Sequence, residues 1–306
     1  MLISKILQDM GIYNYRIERE KEVEILALAV TKSSKKICTF LDNIKYIDSI
    51  KDNVAMLLIS PEIERLINRD KYTGGVCVVE NPRILFFEIH NFLAENFEYR
   101  RKEFDTTIGT GSVISPLSAI STKNVCIGKN VVIEEFAVIR ENTTIGDGSI
   151  IRSGVKIGGQ GFEFKRKDGK IMHVKHLGGV VIGSDVEIQY NACIDCAVYP
   201  WDDTVIGNYT KIDNLVHIGH AVKIEDNVMI VAQSGVGGRT VINNNTWLGF
   251  SSTVSNGLEI GKNSRVNIGS VVTKNVMDNE SVTGNFAIRH DKFIENLKKS
   301  IIEVKE

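Results

Sequence analysis

A branched aliphatic residue recurs at every sixth position along the second half of the chain. A second column, four places later, holds only Ser, Thr or Val apart from Leu258. A parallel β-helix of hexapeptide repeats has this period, whereas a 3.6-residue helix or an alternating strand does not. We therefore predict triangular coils of three hexads each, about 18 residues per coil, with the aliphatic column pointing inward. The column reads Ile206, Ile212, Ile218, Ile224, Ile230, Val236, Ile242, Leu248, Val254, Ile260, Val266 and Val272.

The same register extends upstream, with one gap. Its members there are Ile108, Ile114, Ile120, Ile127, Ile133, Ile139, Ile145, Ile151, Ile157, Ile182, Ile188, Ile194 and Pro200, with one extra residue before Ile127. Between Ile157 and Ile182 the period fails over a stretch rich in glycine and charge. We predict a loop that leaves the coil here, and such insertions in repeat proteins often carry function.

The repeat divides the chain into three parts. Residues 1–103 mix helical and strand-like runs and are predicted to form a small α/β domain, whereas residues 104–277 form the β-helix. Residues 278–306 form a loop and a terminal helix, whose apolar stripe should pack on another surface because so short a helix is marginal alone. That stripe consists of Phe293, Leu297, Ile301 and Val304. The predicted fold class is mostly β.

Composition narrows the class of protein further. Hydrophobic residues make up 43% of the chain, charged residues 25%, and the formal net charge is −1. This balance is typical of a globular protein and gives no overall basic field for nucleic acid. A charged residue occurs within the first five positions, and no long apolar run is present there. Neither a secretory signal nor a membrane span is therefore predicted, and a cytoplasmic location is expected. Five scattered cysteines indicate reduced thiols.

Three residues in corresponding positions of successive coils suggest a catalytic site. His220 lies two places after Ile218, and a spacing of about 18 residues per coil brings Asp202 below it and Gly238 above it. Stacked strands lie about 4.8 Å apart, so we predict one vertical row. The Asp would orient the imidazole, His220 would act as a base, and the Gly238 N–H would face a developing oxyanion. A general base next to an oxyanion-binding N–H group suits acyl transfer from a thioester to an amine.

Other interpretations of His220 remain open. His217 and His220 form an HxxH pair, but no third metal ligand lies in register, so no metal site is predicted. A surface histidine without a catalytic role would show the same spacing. A solenoid that serves as a non-catalytic scaffold, and acyl transfer to oxygen instead of nitrogen, are also compatible with the repeat.

Several motifs carry a family resemblance. The stretches "GGQGFEF", "DDTVIG", "IGHAV" and "TFLDNIKYIDSIKD" resemble those of the UDP-3-O-acylglucosamine N-acyltransferases of lipid A synthesis, as does the C-terminal "GNFAIRHDKFIENLKK". The resemblance implies a left-handed coil, His220 as the base and Gly238 as the oxyanion glycine. It also implies that Phe40, Asn43 and Tyr46 bind the uridine of a nucleotide sugar.

The expected reaction needs no permanently bound cofactor, and its donor is an acyl carrier protein or coenzyme A thioester. A homotrimer is also expected, because His220 lies on a flat face of the coil and a neighbouring β-helix would supply the second wall of a cleft. A basic C-terminal surface (Lys262, Arg265, Lys274, Arg289 and Lys292) would suit either acidic donor. One departure concerns Gly257, which stands where the family has a second active-site histidine. Related solenoid enzymes acylate other UDP- or dTDP-amino sugars for surface polysaccharides from acyl-coenzyme A, and this alternative stays open.

Overall fold

A computed structural model describes residues 1–68, 72–284 and 286–303. The N-terminal domain is a five-stranded sheet in the order β1-β5-β4-β3-β2, parallel except for β1. Its strands are β1 (Arg16–Glu18), β2 (Ile25–Leu26), β3 (Ile37–Leu41), β4 (Val54–Ile59) and β5 (Gly75–Val78). Its helices are α1 (Ile3–Asp9), α2 (Pro61–Leu66) and α3 (Pro82–Leu93), with 3₁₀ turns at Ile44–Ser49 and Phe97–Tyr99. The predicted α/β character of this region is thus observed.

The repeat region forms three parallel sheets, one for each side of the triangular coil, and each sheet consists of strands stacked from successive coils. The first face contains β6 (Thr107–Ile108), β9 (Val125–Ile127), β12 (Thr143–Ile145), β17 (Gly179–Ile182), β20 (Asp203–Ile206), β23 (Lys223–Ile224), β26 (Val241–Ile242) and β29 (Glu259–Ile260). The second contains β7 (Val113–Ile114), β10 (Val132–Ile133), β13 (Ile150–Ile151), β18 (Glu187–Ile188), β21 (Lys211–Ile212), β24 (Met229–Ile230), β27 (Trp247–Leu248), β30 (Arg265–Val266) and β32 (Ser281–Val282). The third contains β8 (Ala119–Ile120), β11 (Val138–Ile139), β14 (Lys156–Gly159), β19 (Cys193–Asp195), β22 (His217–Ile218), β25 (Gly235–Val236), β28 (Thr253–Val254) and β31 (Val271–Val272).

The aliphatic column forms the core, as the period predicted. Between Ile127 and Val266 its members other than Pro200 are at most 2% exposed and belong to one hydrophobic cluster. The corners of the coils take a left-handed backbone, which Asn tolerates better than most residues with a β-carbon. Asn245 and Asn263 both occupy such corners, and their side chains hydrogen-bond to each other at 3.0 Å. The fold class is therefore confirmed, while the left-handed sense of the coil stays a prediction.

Two segments interrupt the coil. The first was predicted as a loop and contains an antiparallel hairpin of β15 (Phe164–Lys167) and β16 (Lys170–His173). The second was missed: Ile194 pairs with Ile218, a spacing of 24 residues where regular coils have 18. Pro200 is therefore not part of the inward column, and its placement there was wrong.

The second interruption, residues 197–202, attaches the N-terminal domain to the β-helix. Tyr199 is buried beside Phe86 of α3, and Trp201 stacks on Tyr199 with ring centroids 5.3 Å apart. The Trp201 indole N–H donates to the Leu26 carbonyl at 2.9 Å. The six extra residues thus bury aromatic surface between the two parts of the molecule, which explains their departure from the repeat.

The last helix, α4 (His290–Glu303), follows the final strand of the coil. That strand, β32, lies at Ser281–Val282, so the parallel stacking continues beyond residue 277. Phe293 and Leu297 of the predicted apolar stripe are exposed at 52% and 44%. Val304 lies outside the described residues, as does the side chain of Ile301.

Candidate active site

His220 and Gly238 stack at one corner of the β-helix. His220 follows β22, and Gly238 follows β25 one coil above, where the Arg239 N–H donates to the His220 carbonyl at 2.9 Å. A Cβ on Gly238 would lie 2.6 Å from His220 Nε2, so the imidazole lies directly against this backbone and a side chain here would have to displace it. The predicted stacking of these two residues is observed, whereas their catalytic roles stay predictions.

Asp202 does not take the place predicted for it. Because Ile194 pairs with Ile218, the residue in register two places later is Cys196, not Asp202. The Asp202 carboxylate instead accepts from Lys223 Nζ at 2.7 Å and from the Asp203 N–H at 2.9 Å. The prediction that Asp202 orients the imidazole was wrong, because a coil of 24 residues replaced the assumed 18.

The carboxylate beside His220 comes from the hairpin segment. Glu163 Oε2 lies 3.6 Å from His220 Nε2, and both side chains are 12% exposed. Arg239 Nη1 lies 3.4 Å from the same oxygen, and Lys165 Nζ forms an ion pair with Oε1. Glu163 was not predicted, since it lies in the segment where the six-residue period gives no positional information.

His176 contributes a second imidazole, also from this segment. It is 7% exposed, and its ring meets that of His220 edge to face with centroids 5.7 Å apart. Nδ1 lies 2.9 Å from the Val174 carbonyl, whereas Nε2 has no hydrogen-bond partner in the described part of the chain. Gly257, where the family has its second histidine, has a left-handed φ of 70° and open space around it.

Asp195 closes the lower side of the site. A Cβ on Gly161 would lie 3.0 Å from His176 Nε2, 3.1 Å from His220 Cβ and 3.2 Å from Asp195 Oδ2. Gly161 therefore lets the hairpin segment reach between these three groups. Burial raises the pKa of Asp195 to about 6, while His217 at 3.7 Å acts in the opposite direction.

The electrostatics of the site keep His220 neutral at neutral pH. Burial, followed by the nearby Arg239 cation, lowers the pKa of His220 to about 4, and Glu163 opposes this shift. A neutral imidazole has a free lone pair and can accept a proton. The Gly238 N–H donates to no acceptor among the described residues, which leaves it available to an incoming oxygen.

Beside these residues, a groove of about 460 Å³ runs along the third face. Its lining extends from Ile120 through Arg140 and Gln160 to His176 and Cys196. The His176 imidazole, which contacts His220, therefore lines the groove. Cys196 is a free thiol whose burial raises its pKa to about 12, so it is not a thiolate at neutral pH.

The predicted uridine residues line one pocket of about 480 Å³ in the N-terminal domain. Phe40 packs against Phe86, with centroids 5.1 Å apart, and Tyr46 is 49% exposed at the pocket rim. The Asn43 side chain accepts from the Lys45 N–H at 3.0 Å and so caps the 3₁₀ turn. Among the residues that the structure describes, none of the β-helix lines this pocket, and none of the N-terminal domain lines the groove beside His176.

The described residues form neither a metal-binding cluster nor a membrane-spanning helix. Within residues 1–68, 72–284 and 286–303, no group of three His, Cys, Asp or Glu side chains could hold a metal ion. The same ranges contain no helix that is both long enough and apolar enough to span a bilayer.

Sequence comparison identifies the repeat. The family description "Bacterial transferase hexapeptide (six repeats)" matches residues 125–159 and 203–238. UDP-3-O-acylglucosamine N-acyltransferase 2 of Legionella pneumophila strain Lens is 48% identical over 139 residues, which is 45% of this chain and 40% of the relative. UDP-3-O-acylglucosamine N-acyltransferase 1 of Francisella tularensis is 49% identical over 88 residues, 28% of this chain and 25% of the relative. The matches thus span at most two fifths of these relatives' length.

Solved structures support the same architecture. A UDP-N-acetylglucosamine acyltransferase from Campylobacter jejuni aligns with a TM-score of 0.53 at 25% identity, over 59% of this chain and 68% of that one. The corresponding Arabidopsis enzyme aligns with a TM-score of 0.50 at 24% identity, over the same shares, and shows the fold alone. The chain therefore carries bacterial transferase hexapeptide repeats on a β-helix, and its resemblance to the UDP-3-O-acylglucosamine N-acyltransferases is confirmed.

Proposed function

We propose that this chain transfers an acyl group from a pantetheine thioester to the amine of a nucleotide-linked amino sugar. The observation that carries the proposal is the neutral, buried His220 imidazole against the Gly238 backbone. The names of the similar proteins specify N-acylation of UDP-3-O-acylglucosamine, and we propose that substrate first. We expect the reaction to take place in the cytoplasm.

In the proposed reaction, the acceptor nitrogen attacks the thioester carbonyl while His220 accepts one of its protons. The Gly238 N–H then donates to the oxyanion that forms on the carbonyl oxygen. His220 returns the proton to the departing thiolate as the carbon–sulfur bond breaks. This route uses no permanently bound cofactor, and acyl carrier protein or coenzyme A supplies the thioester.

The acceptor's nucleotide is proposed to bind in the pocket of Phe40, Asn43 and Tyr46. Phe40 and Tyr46 offer aromatic faces at the wall and rim of the pocket, and Arg83 lies 6.0 Å from the Phe40 ring centroid. A guanidinium beside an aromatic ring suits a base attached to a diphosphate. Since no described residue lines both this pocket and the groove at His176, we propose that a neighbouring subunit of a homotrimer completes the site.

A panel assay tests the proposal. Purified protein is incubated with UDP- and dTDP-amino sugars, including UDP-3-O-acylglucosamine, and with acyl carrier protein or coenzyme A thioesters, and products are identified by mass spectrometry. We expect a mass increase of one acyl group on an amino sugar. Acylation of a dTDP-amino sugar alone would favour the surface-polysaccharide alternative, and no product from any pair would favour a non-catalytic scaffold.

A further inference from the structure

We propose that Glu163 binds the acceptor nitrogen together with His220 and thereby selects amines over hydroxyls as acceptors. This inference rests on the proposed acyl transfer and assigns a function to a hairpin residue that the repeat could not predict. Glu163 reaches the site from the segment that precedes β15, while His220 and Arg239 belong to two successive coils.

The distance between the Glu163 and His220 side chains leaves room for one shared hydrogen-bond donor. Glu163 Oε2 and His220 Nε2 are 3.6 Å apart, which is too far for a good direct hydrogen bond. A single donor atom can lie about 2.9 Å from both, the usual length of an N–H hydrogen bond. A carboxylate oxygen is an acceptor, and so is His220 Nε2 in the tautomer that the base role requires, with the proton on Nδ1, so this donor must carry two hydrogens. A primary amine or an ammonium does, whereas a sugar hydroxyl carries only one.

The negative charge of Glu163 favours an ammonium as the group that binds there. Burial alone would raise its pKa, but the hydrogen bond from Lys165 and the cations of Lys165 and Arg239 hold the pKa below the usual value. The carboxylate is therefore ionised at neutral pH although its side chain is only 12% exposed. These two cations leave part of its acceptor capacity open, because a carboxylate offers about four lone-pair sites. A buried carboxylate with an open site favours a cationic group such as an ammonium.

The proton balance is consistent with this role. The acceptor enters as an ammonium that hydrogen-bonds to the ionised Glu163 carboxylate, and it releases one proton to solvent while Glu163 keeps the nitrogen in place. The nitrogen lone pair then forms the bond to the thioester carbon, and His220 Nε2 takes the second proton. When the carbon–sulfur bond breaks, that proton moves to the thiolate. The products are an amide, a thiol and one released proton.

A structural role for Glu163 makes a different prediction. If the carboxylate only held Arg239 and the hairpin in place, its loss would impair every acceptor equally. Glu88 provides the matched control, because its carboxylate forms an ion pair with Lys167 at the end of β15, away from His220. Glu88→Gln removes a charge from the same hairpin's attachment without touching the site.

The experiment compares Glu163→Gln, Glu163→Asp, Glu88→Gln and the wild type. The acceptor is the amino sugar that the wild type acylates best in the panel assay, and its counterpart has a hydroxyl in place of the amine. Turnover is measured with the amino sugar, and calorimetry gives the Kd of both ligands. For Glu163→Gln we expect kcat/KM and affinity for the amine each to fall by about 10–100-fold, the range for a hydrogen bond to a charged group. Affinity for the hydroxyl counterpart should change less than about 3-fold, within the range of surface substitutions.

Each other outcome is decisive. Equal losses for amine and hydroxyl ligands, or no loss for either, would overturn the role of Glu163 while leaving the acyltransferase intact. If Glu163→Gln does not fold, Glu163→Asp answers the question, since it keeps the charge but withdraws the carboxylate by one methylene and should show a smaller, amine-selective loss. A wild type that acylates no amino sugar would refute the proposed function, and this inference with it.

Discussion

At the scale of single residues, Gly238 gives the sharpest steric test of the site. A methyl group at this position would lie 2.6 Å from His220 Nε2, so Gly238→Ala must displace the imidazole. We expect kcat to fall by roughly 10²-fold or more, the lower end of a general-base contribution. Gly235→Ala in β25, the strand that precedes Gly238, is the control, because its methyl group meets nothing within 4 Å. Equal activity of the two variants would show that the imidazole position does not matter.

Buried histidines also predict how stability changes with pH. Burial is the first cause that lowers the pKa of His90, His176 and His220, each to about 4 from an ordinary value of 6.5. Between these values the unfolded chain binds the proton and the folded chain does not, so the free energy of unfolding should fall as the pH is lowered from about 6.5 to 4. Urea unfolding across this range measures the effect.

Asp195 opposes that trend and supplies its control. Its pKa is raised to about 6 from 3.8, so between those values the folded protein binds the proton more readily than the unfolded chain. Asp195→Asn removes this contribution and should make the loss of stability on acidification steeper than in the wild type. A slope that is unchanged or shallower would contradict the burial of a neutral Asp195.

The sequence predicted the residues that follow the repeat and missed those that do not. His220 and Gly238 lie in regular coils, so counting by 18 placed them correctly relative to each other. Asp202 was misplaced because it belongs to the six residues inserted between Cys196 and Asp203. Glu163 and His176 lie in an inserted segment, where only three-dimensional packing brings them to His220. A charged residue between two phenylalanines in that insertion was the one local signal for Glu163.

At the scale of elements, strands within the repeat were predicted and elements outside it were not. The aliphatic period predicted almost every strand of the β-helix, because each inward position must pack on its neighbours in adjacent coils. The hairpin of β15 and β16 has only eight paired residues and no repeat, so it was predicted simply as a loop. The Tyr199–Trp201 contact with the N-terminal domain depends on long-range packing, which periodicity does not encode.

The pocket between β3 and the first 3₁₀ turn gives a prediction at this scale. Phe40→Ala and Tyr46→Ala should each weaken nucleotide-sugar binding by about 1–3 kcal/mol, the range for a lost base stack. Acyl-donor affinity should hardly change. Tyr46→Ala is the cleaner variant, since Tyr46 is 49% exposed whereas Phe40 also packs on Phe86 and Phe87.

An exposed tyrosine on the β-helix, Tyr209, provides the control for this pocket. Tyr209→Ala removes a similar aromatic surface from a coil corner and should leave nucleotide-sugar affinity unchanged. Calorimetry measures the Kd of each variant for the acyl donor and for the nucleotide-sugar acceptor separately. Equal losses for donor and acceptor, or no loss for either, would mean that the N-terminal domain does not bind the nucleotide.

At the scale of the whole molecule, we predict a homotrimer with sites between subunits. Among the described residues, none lines both the proposed nucleotide pocket and the His176 groove, so we expect a second subunit to be needed to enclose both proposed substrates. Large apolar side chains also remain exposed, including Phe162 at 89%, Phe136 at 61% and Phe293 at 52%. A neighbouring copy would cover such surfaces and form the second wall of a cleft. Light scattering at micromolar concentration measures the assembly, and a stable, fully active monomer would contradict both the trimer and the shared site.

Turnover of the His220→Ala variant tests most directly whether this β-helix is an acyltransferase with His220 as its base. The rate of amide formation on the preferred amino sugar is followed by mass spectrometry, with circular dichroism to show that the variant folds. His217→Ala is the control, since His217 lies on the same face with its side chain 55% exposed. We expect His220→Ala to lose roughly 10²–10⁴-fold in turnover, the usual contribution of a general base, and His217→Ala to keep most of its activity. A folded His220→Ala variant with wild-type turnover would contradict the assignment.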